Sequence, residues 1–127
     1  MKIYLAACFR QQAEVRTKAD ELTTLGHECT SRWRFEPPKG DGSEPESAEH
    51  YMRAAAADLE DINRADVLVL LTGNVSTTGG KHFELGYAIG SGKMVVLVGP
   101  VENVFHWALP RYGTWKEFLC HLSTTTV

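Results

Sequence analysis

Two uninterrupted apolar runs, Val67–Leu71 and Met94–Val98, constrain the fold of this 127-residue chain more than any other feature. A strand that is apolar at every position, rather than at alternate ones, must be covered on both faces, as in parallel sheets flanked by helices. A third short run over residues 3–7 opens the chain, and residues 27–33 read as another strand. Between the strands, residues 10–25, 47–64 and 81–91 read as helices, the first closed by Gly26 and the third by Gly92, where helix C-termini favour glycine. A short fifth strand is expected near Arg111, and Thr114-Trp115-Lys116-Glu117 forms a capping box that starts a last helix over 115–122. Strands and helices alternate throughout. The expected fold is therefore α/β: a doubly wound, mainly parallel five-stranded sheet with helices on both faces, a flavodoxin- or Rossmann-like three-layer sandwich forming one domain over residues 1–127.

The charge balance, 13 Lys and Arg against 16 Asp and Glu, gives a net charge of -3. Nucleic-acid polymers and anionic membranes favour basic surfaces, so neither is the expected partner, whereas a small phosphorylated ligand needs only one or two local cations. Cys8, Cys29 and Cys120 are odd in number and widely spaced, with no CxxC. They imply reduced thiols in a cytoplasm, not a disulfide framework. The first apolar run is too short for a signal peptide, Arg10 follows at once, and no run approaches transmembrane length. The histidines lack zinc spacing, so no metal is expected, nor any other cofactor. Gly90-Ser91-Gly92-Lys93 resembles a phosphate-binding loop but has Tyr87 and Met94 at its defining positions and precedes a strand, so it is discarded.

In open α/β sheets, ligands bind beyond the carboxyl ends of the strands, where strand order reverses. For an order 2-1-3-4-5 that place lies between Ala7-Cys8-Phe9-Arg10 and the segment from Gly73 to Gly80 that leads into Glu84. Tyr51, Ala55, Asp58 and Ile62 fall on one helical stripe, which puts an aspartate on an apolar face, while Glu60 and Asp61 point elsewhere as ordinary solvent charges. A carboxylate there is costly unless paired or used; it is either a structural ion-pair partner or a functional group. Glu84 sits in the first turn of a helix that is apolar almost all round, either as a common first-turn glutamate or as a poorly hydrated nucleophile. Arg10 is placed either to pair with a phosphate or to start a helix in solvent. Tyr4 is by default a core aromatic. The loop over 36–46, rich in proline and glycine, is long enough to close over a ligand.

Three blocks in order, Ile3-Tyr4-Leu5-Ala6-Ala7, Asp58-Leu59-Glu60-Asp61-Ile62-Asn63-Arg64-Ala65-Asp66 and Gly80-Lys81-His82-Phe83-Glu84-Leu85-Gly86-Tyr87-Ala88, resemble the nucleoside 2-deoxyribosyltransferase superfamily, which includes deoxynucleoside 5′-monophosphate N-glycosidases. The resemblance implies a doubly wound fold, a nucleoside or nucleotide as the small-molecule partner, and homodimers or larger homo-oligomers with shared sites. It implies Glu84 as the nucleophile that forms a glycosyl-enzyme intermediate, Asp58 as the acid that helps the base leave, and Tyr4 as the residue that orients Glu84. Thr78 and Arg10 match a hydroxyl and an arginine of the monophosphate branch, which implies a 5′-monophosphate substrate. Cys8 and Gln11-Gln12 stand where that branch has a serine and glycines, and Gly80 belongs to the same binding segment. Asn103 and His106 match positions directed at a neighbouring subunit's ligand. Weaker alternatives are a phosphoribohydrolase of the cytokinin-activating type, whose Gly-Thr pair is missing after Gly79-Gly80, a non-catalytic nucleotide-binding module, and a flavodoxin-like regulator.

Overall fold

The computed structural model describes residues 1–37, 48–73 and 79–125. Thr78 and most of the expected loop, 38–46, lie outside the described residues. The strands are β1 (Lys2–Ala6), β2 (Glu28–Cys29), β3 (Val67–Leu71), β4 (Met94–Val98) and β5 (Arg111–Tyr112); the helices are α1 (Gln12–Thr24), α2 (Ala48–Arg64), α3 (Gly80–Gly90) and α4 (Trp115–Thr125). All strand pairs are parallel, in the order β2-β1-β3-β4-β5, with Ile3 beside Val67 and Val67 beside Met94. The order reverses between β1 and β3, as expected for a doubly wound sheet.

Burial explains the first apolar run and half of the second, whose Met94 is exposed and whose Val95 and Val96 are only partly covered. Every residue of β3 is buried. Helices α2 and α3 pack together and against β1, while α1 meets α4 where the Lys18 ammonium lies over the Trp115 ring. Gly26 closes α1 with φ 88°, a left-handed conformation that a side chain would strain.

The expected strand over 27–33 is a two-residue strand followed by a 3-10 turn, Arg32–Phe35. Side chains replace its backbone ladder. Ser31 Oγ accepts the Leu5 N–H at 2.7 Å, and Trp33 Nε1 donates to the Leu5 carbonyl at 2.9 Å. Once side chains satisfy that edge of β1, the chain is released to turn above it.

The apolar stripe on α2 is only partly covered. Ile62 is fully buried and Asp58 half-buried, but Ala55 is exposed. In a parallel sheet, α2 runs back against the strands, so its N-terminal half sits at their carboxyl edge. Asp61 corrects the expectation of a solvent charge: it is completely buried. Its carboxylate takes Arg32 Nε at 2.8 Å, the Arg32 backbone N–H at 3.0 Å and Arg64 Nη2 at 3.1 Å. A buried carboxylate is tolerable with that many charged and neutral donors.

Candidate active site

Three side chains from three elements converge at the carboxyl side of the sheet. Tyr4 is fully buried in β1, and its hydroxyl donates to Glu84 Oε2 of α3 at 2.7 Å. Glu84 and Asp58 of α2 lie close enough for each to shift the ionisation of the other. A pair of carboxyl groups so placed is favoured when one of them holds a proton.

Burial raises the pKa of Glu84 to about 8; the Tyr4 hydroxyl opposes the rise and the Asp58 charge adds to it. Burial likewise raises Asp58 to about 6, helped by the charges of Asp61 and Glu36 and opposed by the bond to Glu84 and by Arg32. Between these values the pair holds one proton. Tyr4 is driven far upward by burial and by the facing carboxylates, so it remains a neutral donor throughout.

The chemical capacity follows. One carboxylate with a single fixed donor can attack an electrophilic carbon, and one carboxylic acid beside it can protonate a leaving group. Two carboxyl groups in this relation are the equipment of retaining glycoside cleavage.

A sequence profile described as nucleoside 2-deoxyribosyltransferase matches residues 3–117. The chain belongs to the nucleoside 2-deoxyribosyltransferase family. With that family it is an enzyme of N-glycosidic bond cleavage or transfer. The fold is similar to that of a 2-deoxyribosyltransferase from the psychrotolerant bacterium Bacillus psychrosaccharolyticus, with a TM-score of 0.75 and 25% identity over 96% of each chain. It is also similar to the CMP N-glycosidase BcmB of Clostridium botulinum, with a TM-score of 0.61 and 18% identity over 98% of this chain and 99% of that one, a likeness of fold alone. No curated protein sequence matches.

The other residues singled out in this deoxyribosyltransferase-family chain are placed less uniformly. Arg10 is exposed in the 3-10 turn Phe9–Gln11, beyond the carboxyl end of β1. Cys8 is buried, and its backbone N–H is taken by Gln11 Oε1 at 3.2 Å. Gly80 opens α3, and a Cβ there would meet nothing within 4 Å. Asn103 accepts the Phe105 N–H at 3.0 Å and so caps the turn Val104–Ala108. His106 is fully buried within the chain, its Nδ1 accepting the Glu102 N–H at 3.0 Å and its ring against His82. At that corner Val104, Phe105 and Trp107 face outward instead.

Sequence reasoning named Gln11 and Gln12 only as departures from the glycines of the monophosphate branch, and passed over Lys81 and Glu102. Gln12 ties α1 to the 33–36 turn through the Trp33 and Glu36 carbonyls. Lys81 carried one legible signal, a cation in the first turn of a helix, where the dipole disfavours it. Among the described residues, no group of three or more His, Cys, Asp or Glu side chains is placed to hold a metal, and no helix is long and apolar enough to cross a membrane.

Proposed function

We propose that this enzyme cleaves the N-glycosidic bond of a nucleoside 5′-monophosphate, with Glu84 as nucleophile, Asp58 as general acid and Tyr4 as the group that orients Glu84. The observation that carries the reading is the contact of these three side chains, one proton short of full ionic repulsion, in a chain of this family. The higher pKa keeps the proton on Glu84 in the free enzyme; the reactive form is the one in which, as a substrate separates the pair, that proton has passed to Asp58. Asp58 then gives it to the departing base as the bond from C1′ to the base nitrogen breaks. Glu84 supplies the electron pair of the new bond to C1′. Water, or a second base, attacks C1′ from the vacated side and returns its proton to Asp58, freeing Glu84. The acid contributes roughly 10²–10⁴ in rate.

Arg10 supports the phosphate, being an exposed guanidinium at the edge where strand order reverses. Thr78 is assigned to the same phosphate. A free nucleoside is the second reading, favoured by Gln11, which occupies a backbone donor that a phosphate would otherwise use. A homo-oligomer fits the outward stripe on α3, where Phe83 is 66% exposed and Gly86 and Gly90 leave open space for a close-packed partner.

The test is a panel of ribo- and deoxynucleosides and their 5′-monophosphates, with free base followed by chromatography. Release from monophosphates, abolished in Glu84→Ala and weakened at least tenfold in Arg10→Ala for monophosphates alone, is expected. Equal rates on nucleosides and monophosphates would sink the phosphate assignment. Base exchange that requires an added second base would make the enzyme a transferase.

A further inference from the structure

The first turn of α3 contains an anomaly that the catalytic trio does not use. Lys81 is buried, its side chain wholly so, at the second position of a helix whose positive end it faces. Burial and the helix dipole both oppose a cation there. It is held by Glu102, whose Oε1 lies 2.8 Å from Lys81 Nζ. Glu102 is its one partner among the described residues.

Glu102 is itself fixed from several sides. Its Oε2 accepts the Gly73 N–H at 3.1 Å, immediately after β3. Its own N–H goes to His106 Nδ1, and His82 Nε2 lies 3.8 Å from Oε1. Burial pushes the Glu102 pKa up, but Lys81, the Gly73 N–H and the His82 charge outweigh that and hold it below the usual carboxylate range. One carboxylate thus joins the end of β3, the segment after β4 and the first turn of α3. Among the described residues the α3 N-cap, Gly79, makes no side-chain cap hydrogen bond, and His82 adds only a long 3.5 Å contact from the same turn to Asn103.

Lys81 and Glu84 are three residues apart and therefore adjacent on the helix surface. A carboxylate carried about 6 Å from a helix axis moves by about 2 Å when the helix turns by about 20°. The Tyr4–Glu84 contact of 2.7 Å would not survive such a movement. We infer that the Lys81–Glu102 ion pair is a positioning clasp that sets the rotation of α3 and so holds the Glu84 carboxylate against Tyr4 and Asp58. For catalysis this rests on Glu84 being the nucleophile; the geometric part does not.

Two variants and two readouts separate these claims. Glu102→Gln keeps an acceptor for the Gly73 N–H and removes the charge. Lys81→Met/Glu102→Gln leaves no unpaired charge, and serves if the single variant does not fold. The first readout is the titration of the Glu84 carboxyl carbon by NMR in the otherwise intact protein. The second is kcat and KM for base release. The clasp predicts that Glu84 titrates at least about half a pH unit from its position in the parent, because its Tyr4 and Asp58 contacts change. It also predicts a kcat lowered roughly 10- to 100-fold with KM within threefold, the signature of a displaced reacting group. A folded double variant with an unchanged Glu84 titration would overturn the inference and leave the pair a local prop. A shifted titration in the double variant, together with undiminished base release by Glu84→Ala, would uphold the clasp and overturn Glu84 as nucleophile.

Discussion

Glu84→Gln should stabilise the protein in alkali and leave it nearly unchanged in acid. Glutamine is close to isosteric with a protonated glutamic acid. Its carbonyl can accept the Tyr4 hydroxyl and its amide can donate to Asp58, so both contacts of the protonated state are kept. What it removes is the charge. In the folded protein the Glu84 pKa is raised from 4.5 to about 8, chiefly by burial. The folded state therefore binds this proton more tightly than the unfolded state does. The stability associated with it is fully present below about 4.5 and is lost as pH rises through about 8. At roughly 1.4 kcal/mol per unit, the whole rise is worth on the order of 5 kcal/mol.

The assay is chemical denaturation of wild type and Glu84→Gln at pH 5 and pH 9. At pH 5 the two should agree within about 1 kcal/mol. At pH 9 the variant should be more stable by about 4–5 kcal/mol, which for a chain of this size raises Tm by more than about 10 °C. The same variant should release no base. A stability difference that is equal at the two pH values would refute the reasoning, because it would mean that ionising Glu84 costs the fold nothing.

The pH profile of kcat/KM for base release should be bell-shaped, with limbs near 6 and 8 where the carboxyl pair gains or loses its single proton; a flat profile from pH 5 to 9 would contradict it. Tyr4→Phe removes the only hydroxyl donor recorded on Glu84 among the described residues, and should lower kcat/KM by about 10- to 100-fold, measured as initial rates of base release. Asp61→Asn leaves Arg32 and Arg64 without their buried counter-charge. It should destabilise by about 2–3 kcal/mol in denaturant titration, less than for a fully buried pair because both arginines reach solvent. Gly99→Ala would place a methyl 2.5 Å from Thr72 Oγ1 and 2.7 Å from its carbonyl at φ 121°, and should cost at least about 2 kcal/mol by the same measurement.

The sheet was legible because apolar continuity is a local signal. Val67–Leu71 and Met94–Val98 announce two strands without reference to anything else; the first is covered throughout, the second only at Leu97 and Val98, with Met94 exposed. Asp58 and Glu84 were legible for a related reason, each being a charge set in an apolar helical context. The short β2 was not, because its truncation depends on Ser31 and Trp33 finding Leu5 across the sheet. Asp61 escaped for the same reason. It lies toward the edge of the α2 stripe, and what buries it is the Arg32 turn, whose position no helical period encodes. Lys81 depends on Glu102, 21 positions away. Local periodicity finds residues that are out of place; only the fold shows which of them are compensated.

That distinction separates structural from chemical charges here. Four charged side chains on α2 and α3 sit in buried or half-buried surroundings. Asp61 is met by two arginines and Lys81 by a glutamate. Asp58 and Glu84 are met by each other and by the neutral hydroxyl of Tyr4, and Arg32, whose charge reaches Asp58, is committed by contact to Asp61. A fold selected only for stability would pair these two carboxylates with cations or replace them with apolar side chains. Burying them without a cation in contact raises both pKa values toward neutrality, where a proton can be given and taken back at little cost. Under the proposed function the arrangement is intelligible as chemistry, and the stability gained by Glu84→Gln in alkali measures how much the fold gives up to maintain it.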